Sequence, residues 1–398
     1  MKGTVAVATG REFDTIVYGA SGFTGRLVAE YLQNRYGNGA DVKWAMAGRS
    51  ADKLAAVRDE MGLPADTPLV TANADEPASL AEMANRANVI ITTVGPYQLY
   101  GSELVAACVE TGTDYVDLCG EPLWMLNMIE AHKEKAQETG ARIVHSCGFD
   151  SIPSDLGVLK VQNEAKARFG GPVPRVKGRV RGMNGTFSGG TAASFKTSMA
   201  AVQKDPTLIP KMMDPFVLSE GKRGPEQPTG MNPELDPALD MWVGPFVMAA
   251  INTKNVHRSN ALQGSAYGED FVYDEMMVTG PGDQGKAVAE QLGQMNASIG
   301  TTDLKPGEGP SKEEREAGNY DMLFIGEAAN GQDIRVGVTG DKDPGYGSTS
   351  KMLAEAALCL TQDCADTPGG VWTPAAAMGE KLIDRLVANA GLTFDLEN

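Results

Sequence analysis

The stretch 18-YGASGFTGRL-27 restricts the fold of this chain more than any other segment. β-branched and aromatic residues of the run 13-FDTIVY-18 predict a short buried strand before it. Apolar residues recur at helical spacing after it, at Leu27, Val28, Tyr31 and Leu32. A strand, a glycine-rich turn and a helix are therefore expected in direct succession.

A strand-to-helix turn of this kind is typical of dinucleotide binding. The first glycine permits the tight turn, the second lets a diphosphate approach the backbone, and the third lets the helix pack close to the strand. The free amides at the start of the helix then face the phosphates. A purely structural turn is the alternative. The predicted contacts are Gly19, Ser21, Gly22, Phe23, Thr24 and Gly25.

The end of the second predicted strand, 42-VKWAMAGRS-50, bears on the choice between NAD and NADP. An NAD site usually has an acidic residue there, which binds the ribose 2′-hydroxyl. This chain instead has Arg49, 24 residues after Gly25, followed by Ser50 and by Lys53 one turn later. These side chains could bind a 2′-phosphate, so the sequence predicts NADP(H). The alternative is that these are ordinary solvated charges at the start of a helix. Asp75, at the end of the third predicted strand, is the remaining predicted contact in this part of the site.

Strand and helix patterns alternate as far as about residue 151, which predicts an α/β fold with a doubly wound parallel sheet. Ligands of such sheets bind beyond the carboxyl ends of the strands. Two glycine-containing turns at those ends are expected to lie near the nicotinamide, through Gly95, Pro96, Tyr97, Gly148 and Phe149.

Two residues are candidates for the catalytic chemistry. Tyr97 could donate a proton after hydride transfer, or its ring could form a wall of the pocket. Asp150 is the second candidate, although capping of the helix that follows is the simpler role. Asp117 and Glu121 could relay protons, but hydrogen bonding within their loop is the favoured interpretation.

The pattern changes beyond residue 158. The run 174-PRVKGRVRG-182 alternates basic and apolar residues, which predicts an antiparallel strand with a solvated basic face; binding of substrate anions is the alternative. Many prolines and methionines in 205–249 predict a long loop or lid. We therefore expect a Rossmann domain over 1–158, an inserted α+β domain with a mixed or antiparallel sheet over 159–344, and C-terminal helices over 345–398 that return to the Rossmann domain.

Composition narrows the classes of partner. A net charge of −17 over 398 residues argues against nucleic acid and anionic membranes as partners. The sequence has no apolar run of transmembrane length and no signal-peptide core, so a cytoplasmic protein is expected. Five cysteines without a CxxC pair and three separated histidines indicate neither disulfides nor a metal site. An open sheet also makes a homodimer the expected assembly.

Seven segments resemble the saccharopine dehydrogenase-like oxidoreductases, and within them most closely the bacterial trans-acting enoyl reductases. They are YGASGFTGRL, AGRS, VGPYQLYG, GTDYVDLCGE, CGFDSIPSDLG, SGGT and DPGYGSTSKM. The resemblance implies an NADP-binding Rossmann domain whose C-terminal part returns after a mixed-sheet insertion. It also implies a role in lipid metabolism. The reaction would be the reduction of a double bond on an acyl chain that a separate synthase holds. A saccharopine-type reaction at a C–N bond and a nucleotide-binding scaffold without turnover remain alternatives.

Overall fold

Two seven-stranded sheets organise the chain in a computed structural model, which describes residues 10–39, 41–185, 189–296, 309–329 and 331–397. The first part of the chain alternates strands and helices, as the sequence predicts. Its elements are β1 (Phe13–Tyr18), α1 (Phe23–Tyr36), β2 (Trp44–Gly48), α2 (Ala51–Glu60), β3 (Leu69–Thr71), α3 (Pro77–Asn85), β4 (Ala87–Thr92), α4 (Tyr97–Tyr100), α5 (Ser102–Thr111), β5 (Asp114–Val116), α6 (Pro122–Thr139), β6 (Arg142–Val144) and α7 (Ile152–Phe169).

The rest of the chain does not alternate strictly, since two pairs of strands follow each other directly. The elements are β7 (Arg175–Asn184), α8 (Gly189–Lys204), a 3₁₀ turn (Pro206–Leu208), α9 (Ile209–Met213), β8 (Glu234–Asp236), β9 (Met241–Pro245), α10 (Ala249–Leu262), β10 (Val272–Gly280), α11 (Gly282–Asn296), α12 (Lys312–Ala317), β11 (Asn319–Glu327), β12 (Asp333–Gly340), a π turn (Pro344–Ser348), α13 (Thr349–Gln362), β13 (Gly370–Trp372), α14 (Pro374–Ala377), α15 (Gly379–Asn389) and β14 (Leu392–Glu397).

The first sheet is parallel throughout, with the strand order β13-β6-β5-β4-β1-β2-β3. Alternate residues of its central strands enter two different hydrophobic cores: Val17 packs into one core and Ile16 into the other. Both faces of the sheet are therefore buried, as in other parallel sheets. The predicted doubly wound α/β fold is confirmed.

The second sheet is mixed, with the order β14-β12-β11-β7-β10-β9-β8. The β7–β10 pair is parallel and the other pairs are antiparallel. A parallel pair requires a long crossover, and here α8, α9 and α10 lie between the two strands in sequence. An α+β part built on a mixed sheet was expected, and this is confirmed.

Residues 345–397 contribute to both sheets. α13 packs against α1, β1, β4 and β5, and β13 extends the first sheet beside β6. β14 then pairs with β12 at the edge of the second sheet. The sequence predicted the helices of this segment but neither strand. The expected domain boundary at 158 lies inside α7.

The interpretation of 174–182 as an antiparallel strand with a solvated basic face was only partly right. The strand is antiparallel to β11, but most of its basic face is not solvated. β7 lies in the middle of the sheet, parallel to β10, and Arg179 is fully buried. Its Nε donates to Asp236 Oδ2 at 2.6 Å and its Nη1 donates to Asp274 Oδ2 at 2.8 Å. Carboxylates on other strands thus neutralise these cations. Alternation alone cannot reveal such partners, because they come from distant parts of the sequence.

Two classes of feature are absent from the described ranges. No helix there combines the length and the apolar character that crossing a bilayer requires. No group of three or more His, Cys, Asp or Glu residues there could hold a metal ion.

Candidate active site

The glycine turn between β1 and α1 brings the helix start very close to the strand end. Gly19 has φ +91°, and a Cβ at Gly25 would lie 2.2 Å from the Gly19 carbonyl oxygen. Only glycine fits at these two positions. Gly22 is the N-cap of α1, and no side chain caps this helix. The amides of the first turn, at Phe23, Thr24 and Gly25, are therefore suited to bind a diphosphate.

The end of β2 carries exposed basic side chains. Arg49 and Lys53 are both exposed, and neither side chain has a hydrogen bond or ion pair among the residues that the structure describes. The Ser50 hydroxyl accepts the Lys53 amide at 3.2 Å and caps α2, while Ser21 lies beside Gly48. Since no acidic residue occupies the end of β2, these residues fit the 2′-phosphate of NADP.

Asp75 lies in the same region, at the end of β3. Burial raises the pKa of Tyr18 to about 12, and the charges of Arg49 and Asp75 act on this hydroxyl in opposite directions. Both charged side chains therefore lie near the end of β1.

Tyr97 is buried at the turn after Gly95 and Pro96. Its hydroxyl donates to the Thr92 carbonyl and accepts the Leu118 amide, both at 3.3 Å, and its ring packs 5.4 Å from Trp124. Burial raises the pKa of this hydroxyl well above its ordinary value. Because the hydroxyl is engaged by the backbone, this geometry favours a pocket wall over a proton donor.

Glu121 ties this turn to the second half of the molecule. One of its oxygens accepts the Tyr97 amide at 2.9 Å and the Ser194 hydroxyl at 2.8 Å, and the other accepts the Gln98 amide at 2.9 Å. Ser194 belongs to α8, so the contact joins the two parts of the chain across the crevice. Sequence reasoning did not identify Ser194, because no local pattern indicates a partner 73 residues away.

Asp117 is also fully engaged, and its partners lie on neighbouring strands. It accepts from Tyr115 Oη, from the amides of Cys119 and Ser146, and from His145 Nδ1 at 2.7 Å. Hydrogen bonding within their loop was the favoured interpretation of both carboxylates. The bond from the Cys119 amide agrees with it for Asp117, whereas the Glu121 carboxylate binds residues outside that loop.

Asp150 differs from these carboxylates. It is half-buried, and its carboxyl group has no hydrogen-bond partner within the described ranges. A Cβ on Gly120 would lie 3.3 Å from its Oδ2, which places it beside the Glu121 loop. Burial raises its pKa to about 7. Near neutral pH a large fraction of this carboxyl group therefore stays protonated.

The simpler role considered for Asp150, helix capping, is not what the structure shows. The N-cap of α7 is Ser151, which makes no side-chain cap, and its hydroxyl accepts from Asn255 Nδ2 at 2.8 Å. The preceding turn is fixed differently, because the Phe149 amide donates to Thr349 Oγ1 at 2.9 Å and Gly148 packs against the same threonine.

The turn before α13 lies over the start of α1. Asp343 accepts the amides of Tyr346 at 3.0 Å and Gly347 at 2.7 Å, and the Tyr346 ring lies 5.1 Å from Phe23. In the sequence, this segment, 343-DPGYGSTSKM-352, is recognisable only through the family resemblance. An aspartate followed by Pro-Gly is an ordinary turn signal, but its position against α1 is a long-range property.

Comparison with known proteins places the chain among oxidoreductases. The family described as the saccharopine dehydrogenase NADP binding domain matches residues 15–144. A putative trans-acting enoyl reductase of Mycobacterium tuberculosis is 42% identical, covering 97% of this chain and 98% of the relative. A trans-acting enoyl reductase of Mycobacterium ulcerans is 40% identical, covering 94% of this chain and 96% of the relative.

A solved structure supports the fold. Apo saccharopine dehydrogenase (L-Glu forming) from Saccharomyces cerevisiae aligns with 97% of this chain and 99% of its own, with a TM-score of 0.52 and 12% sequence identity. At this identity the likeness supports the architecture alone.

Proposed function

Since this chain belongs to the trans-acting enoyl reductases of the saccharopine dehydrogenase-like family, and is thus an NADP-dependent oxidoreductase, we propose that it reduces a carbon–carbon double bond of a lipid-like acyl thioester. NADPH supplies the hydride when it is bound. The predicted site residues at the glycine turn, the β2 end and the two later turns would hold it, as their geometry fits the cofactor.

The unpaired carboxyl group of Asp150 is the observation that carries this proposal. A double bond conjugated to a thioester accepts hydride at its β-carbon, and a proton must then reach the α-carbon. Asp150, whose pKa is raised to about 7, donates that proton and is reprotonated by water. Glu121 holds the Gly95–Tyr97 turn in position, and the Tyr97 ring closes one side of the pocket.

The alternative reaction at a C–N bond has less support. An amino-acid conjugate carries several carboxylates, so its site needs free cations. The clustered basic residues of β7 are already paired: Lys177 with Glu327 at 2.6 Å, Arg179 with Asp236, and Arg181 with Asp321. An α,β-unsaturated thioester needs no such cluster.

Absorbance of NADPH tests the reaction directly. We expect NADPH oxidation with a long-chain trans-2-enoyl thioester, free or bound to a carrier, and none with 2-aminoadipate semialdehyde plus glutamate. The opposite result would assign the chain to C–N chemistry. Tight NADPH binding without turnover of either substrate would indicate a scaffold.

We also propose that the chain forms a homodimer and acts in the cytoplasm, where NADPH is regenerated. β8 is an edge strand, and exposed apolar side chains lie on or beside it at Met231, Leu235 and Met241. Edge strands of this kind pair readily across a two-fold axis. Light scattering that gives the 42.0 kDa mass of one chain would exclude the dimer.

A further inference from the structure

We propose that α4, α8 and α9 form a docking surface for an acidic protein that presents the acyl substrate to the crevice. The surface is defined by Leu99, Tyr100, Lys196, Met199, Lys204, Ile209, Lys211 and Met213, and is called the α8–α9 surface below. This inference rests on the proposed function, because it assigns a partner to the same site.

Several large apolar side chains of the α8–α9 surface are exposed to solvent. Met213 is 63% exposed, Leu99 58%, Ile209 48% and Tyr100 42%. Ile209 and Met213 are four residues apart on α9, which places them on one face of this short helix. Large apolar side chains left in water on neighbouring turns are typical of protein or ligand contacts.

Charge indicates the kind of partner. Three lysines, Lys196, Lys204 and Lys211, are exposed on this surface, and none of them makes an ion pair within the described part of the chain. The one acidic residue of 189–213 is Asp205, which caps the 3₁₀ turn through the Thr207 amide at 3.0 Å. A basic surface on a chain of net charge −17 is complementary to an acidic partner.

The α8–α9 surface begins at the crevice. Ser194 of α8 donates to Glu121, and a Cβ on Gly95 would lie 3.8 Å from the Ser194 hydroxyl oxygen. Lys196 and Met199 follow at helical spacing on the exposed side of α8, and Leu99 and Tyr100 directly follow Gln98, whose amide Glu121 binds. A protein bound here would place a tethered acyl chain beside Asp150.

The test compares one acyl group on two carriers. The probes are trans-2-dodecenoyl groups attached to an acidic holo acyl carrier protein or to N-acetylcysteamine. For the variant Lys204→Glu/Lys211→Glu we expect kcat/KM to fall at least about tenfold with the carrier-bound group and to stay unchanged with the small thioester. An equal effect on both substrates, or on neither, would overturn the docking surface.

Lys166→Glu/Arg168→Glu is the matched control. Both are exposed basic residues in the last turn of α7, a helix of 18 residues that begins just after Asp150 and is therefore about 27 Å long. The same change of four charge units at its far end should leave both activities as they are. An effect of this control as large as that of the double variant would show that net charge, rather than this surface, is responsible.

Binding is measured separately, so that failure of the reaction and failure of docking can be distinguished. Fluorescence anisotropy of the labelled carrier should show binding at about 50 mM salt that weakens strongly at about 500 mM. The double variant should bind at least about tenfold more weakly. Absence of binding by the unaltered chain, or binding to phosphatidylglycerol vesicles in its place, would reject a protein partner. If cross-linking showed that this surface is buried between two copies of the chain, the proposed docking of a carrier protein would also be rejected.

Discussion

The carboxyl group of Asp150 combines a half-buried position with a raised pKa. Since the protonated form donates the proton, we expect kcat to fall as the pH rises through about 7. Asp150→Asn should lower kcat about 100-fold or more and abolish this pH dependence, while NADPH still binds. A pH profile of kcat for both proteins tests this. A profile with the same inflection in the variant would assign it to another group.

The same substitution has a consequence for stability. The pKa of Asp150 is about 7 in the folded chain and about 3.9 in an unfolded one, so its contribution to stability declines as the pH rises through this interval. Asp150→Asn removes the cost of a buried charge and should raise the free energy of unfolding by about 2 kcal/mol at pH 8, allowing for partial solvent access. At pH 4 the two proteins should unfold alike, which denaturant titrations at both pH values would show.

Arg49 is expected to determine the choice of cofactor. Charge-assisted hydrogen bonds to a 2′-phosphate contribute about 1.5–3 kcal/mol each, so Arg49→Asp should weaken NADPH binding about 10- to 100-fold. NADH lacks that phosphate and should bind about as before. Fluorescence titration measures both constants, with Arg168→Asp, at the far end of α7, as the control. Equal affinity of the unaltered chain for NADH and NADPH would contradict this role.

Glu121 joins a turn, a loop and a helix through one side chain. Glu121→Gln keeps one oxygen acceptor but presents an NH₂ group to a backbone amide that needs an acceptor. The turn should then shift, and kcat should fall about tenfold with unchanged thermal stability. Ser194→Ala removes only the α8 contact and should have the smaller effect on kcat. Equal effects would assign the role of Glu121 to the α8 contact alone.

Buried ion pairs secure the second sheet at β7. Arg179→Leu would leave Asp236 without its nearest cation and Asp274 with Arg175 alone, and we expect a loss of about 3 kcal/mol in the free energy of unfolding. Arg181→Leu breaks exposed pairs with Asp321 and Glu397 and should cost less than about 1 kcal/mol. Denaturant unfolding of the two variants gives the comparison. Similar losses would mean that burial does not decide the strength of these pairs.

Local patterns predicted the elements better than their partners. The glycine turn and most elements of the first sheet follow from spacing and turn residues within a few positions. α10 and α11 were not predicted, and the 205–249 segment, expected as a long loop or lid, contains β8 and β9. β13, with three residues, is too short for periodicity to reveal. The partners of Arg179 and the contact between Ser194 and Glu121 depend on residues far apart in sequence. Asp150 was predicted as a site residue. Its lack of a hydrogen-bond partner and its raised pKa depend on the residues around it, which only the structure shows.

At the scale of the whole molecule, the chain crosses between the two sheets more than once. α7 leaves the first sheet and contacts β11 and β12 of the second. After the second sheet is nearly complete, α13 packs on β1, β4 and β5, β13 joins β6, and β14 returns to β12. Residues 370–397 thus contribute one strand to each sheet. We propose that the domains 1–158, 159–344 and 345–398 work as one folding unit for this reason.

A fragment ending at the C-terminus of α7, residues 1–170, tests this unit. It lacks α13, whose Met352, Leu353, Leu358 and Leu360 are fully buried. Four such side chains stabilise a fold by about 6–12 kcal/mol, which is comparable with the total stability of about 5–15 kcal/mol of an ordinary domain. We therefore expect the fragment to unfold without a cooperative transition and to bind NADPH poorly. Joining residues 345–390 to it through a flexible linker should restore a sharp thermal transition in circular dichroism, because the face of β1, β4 and β5 is covered again. Cooperative unfolding of the fragment alone would show that the first sheet is independent of the C-terminal segment.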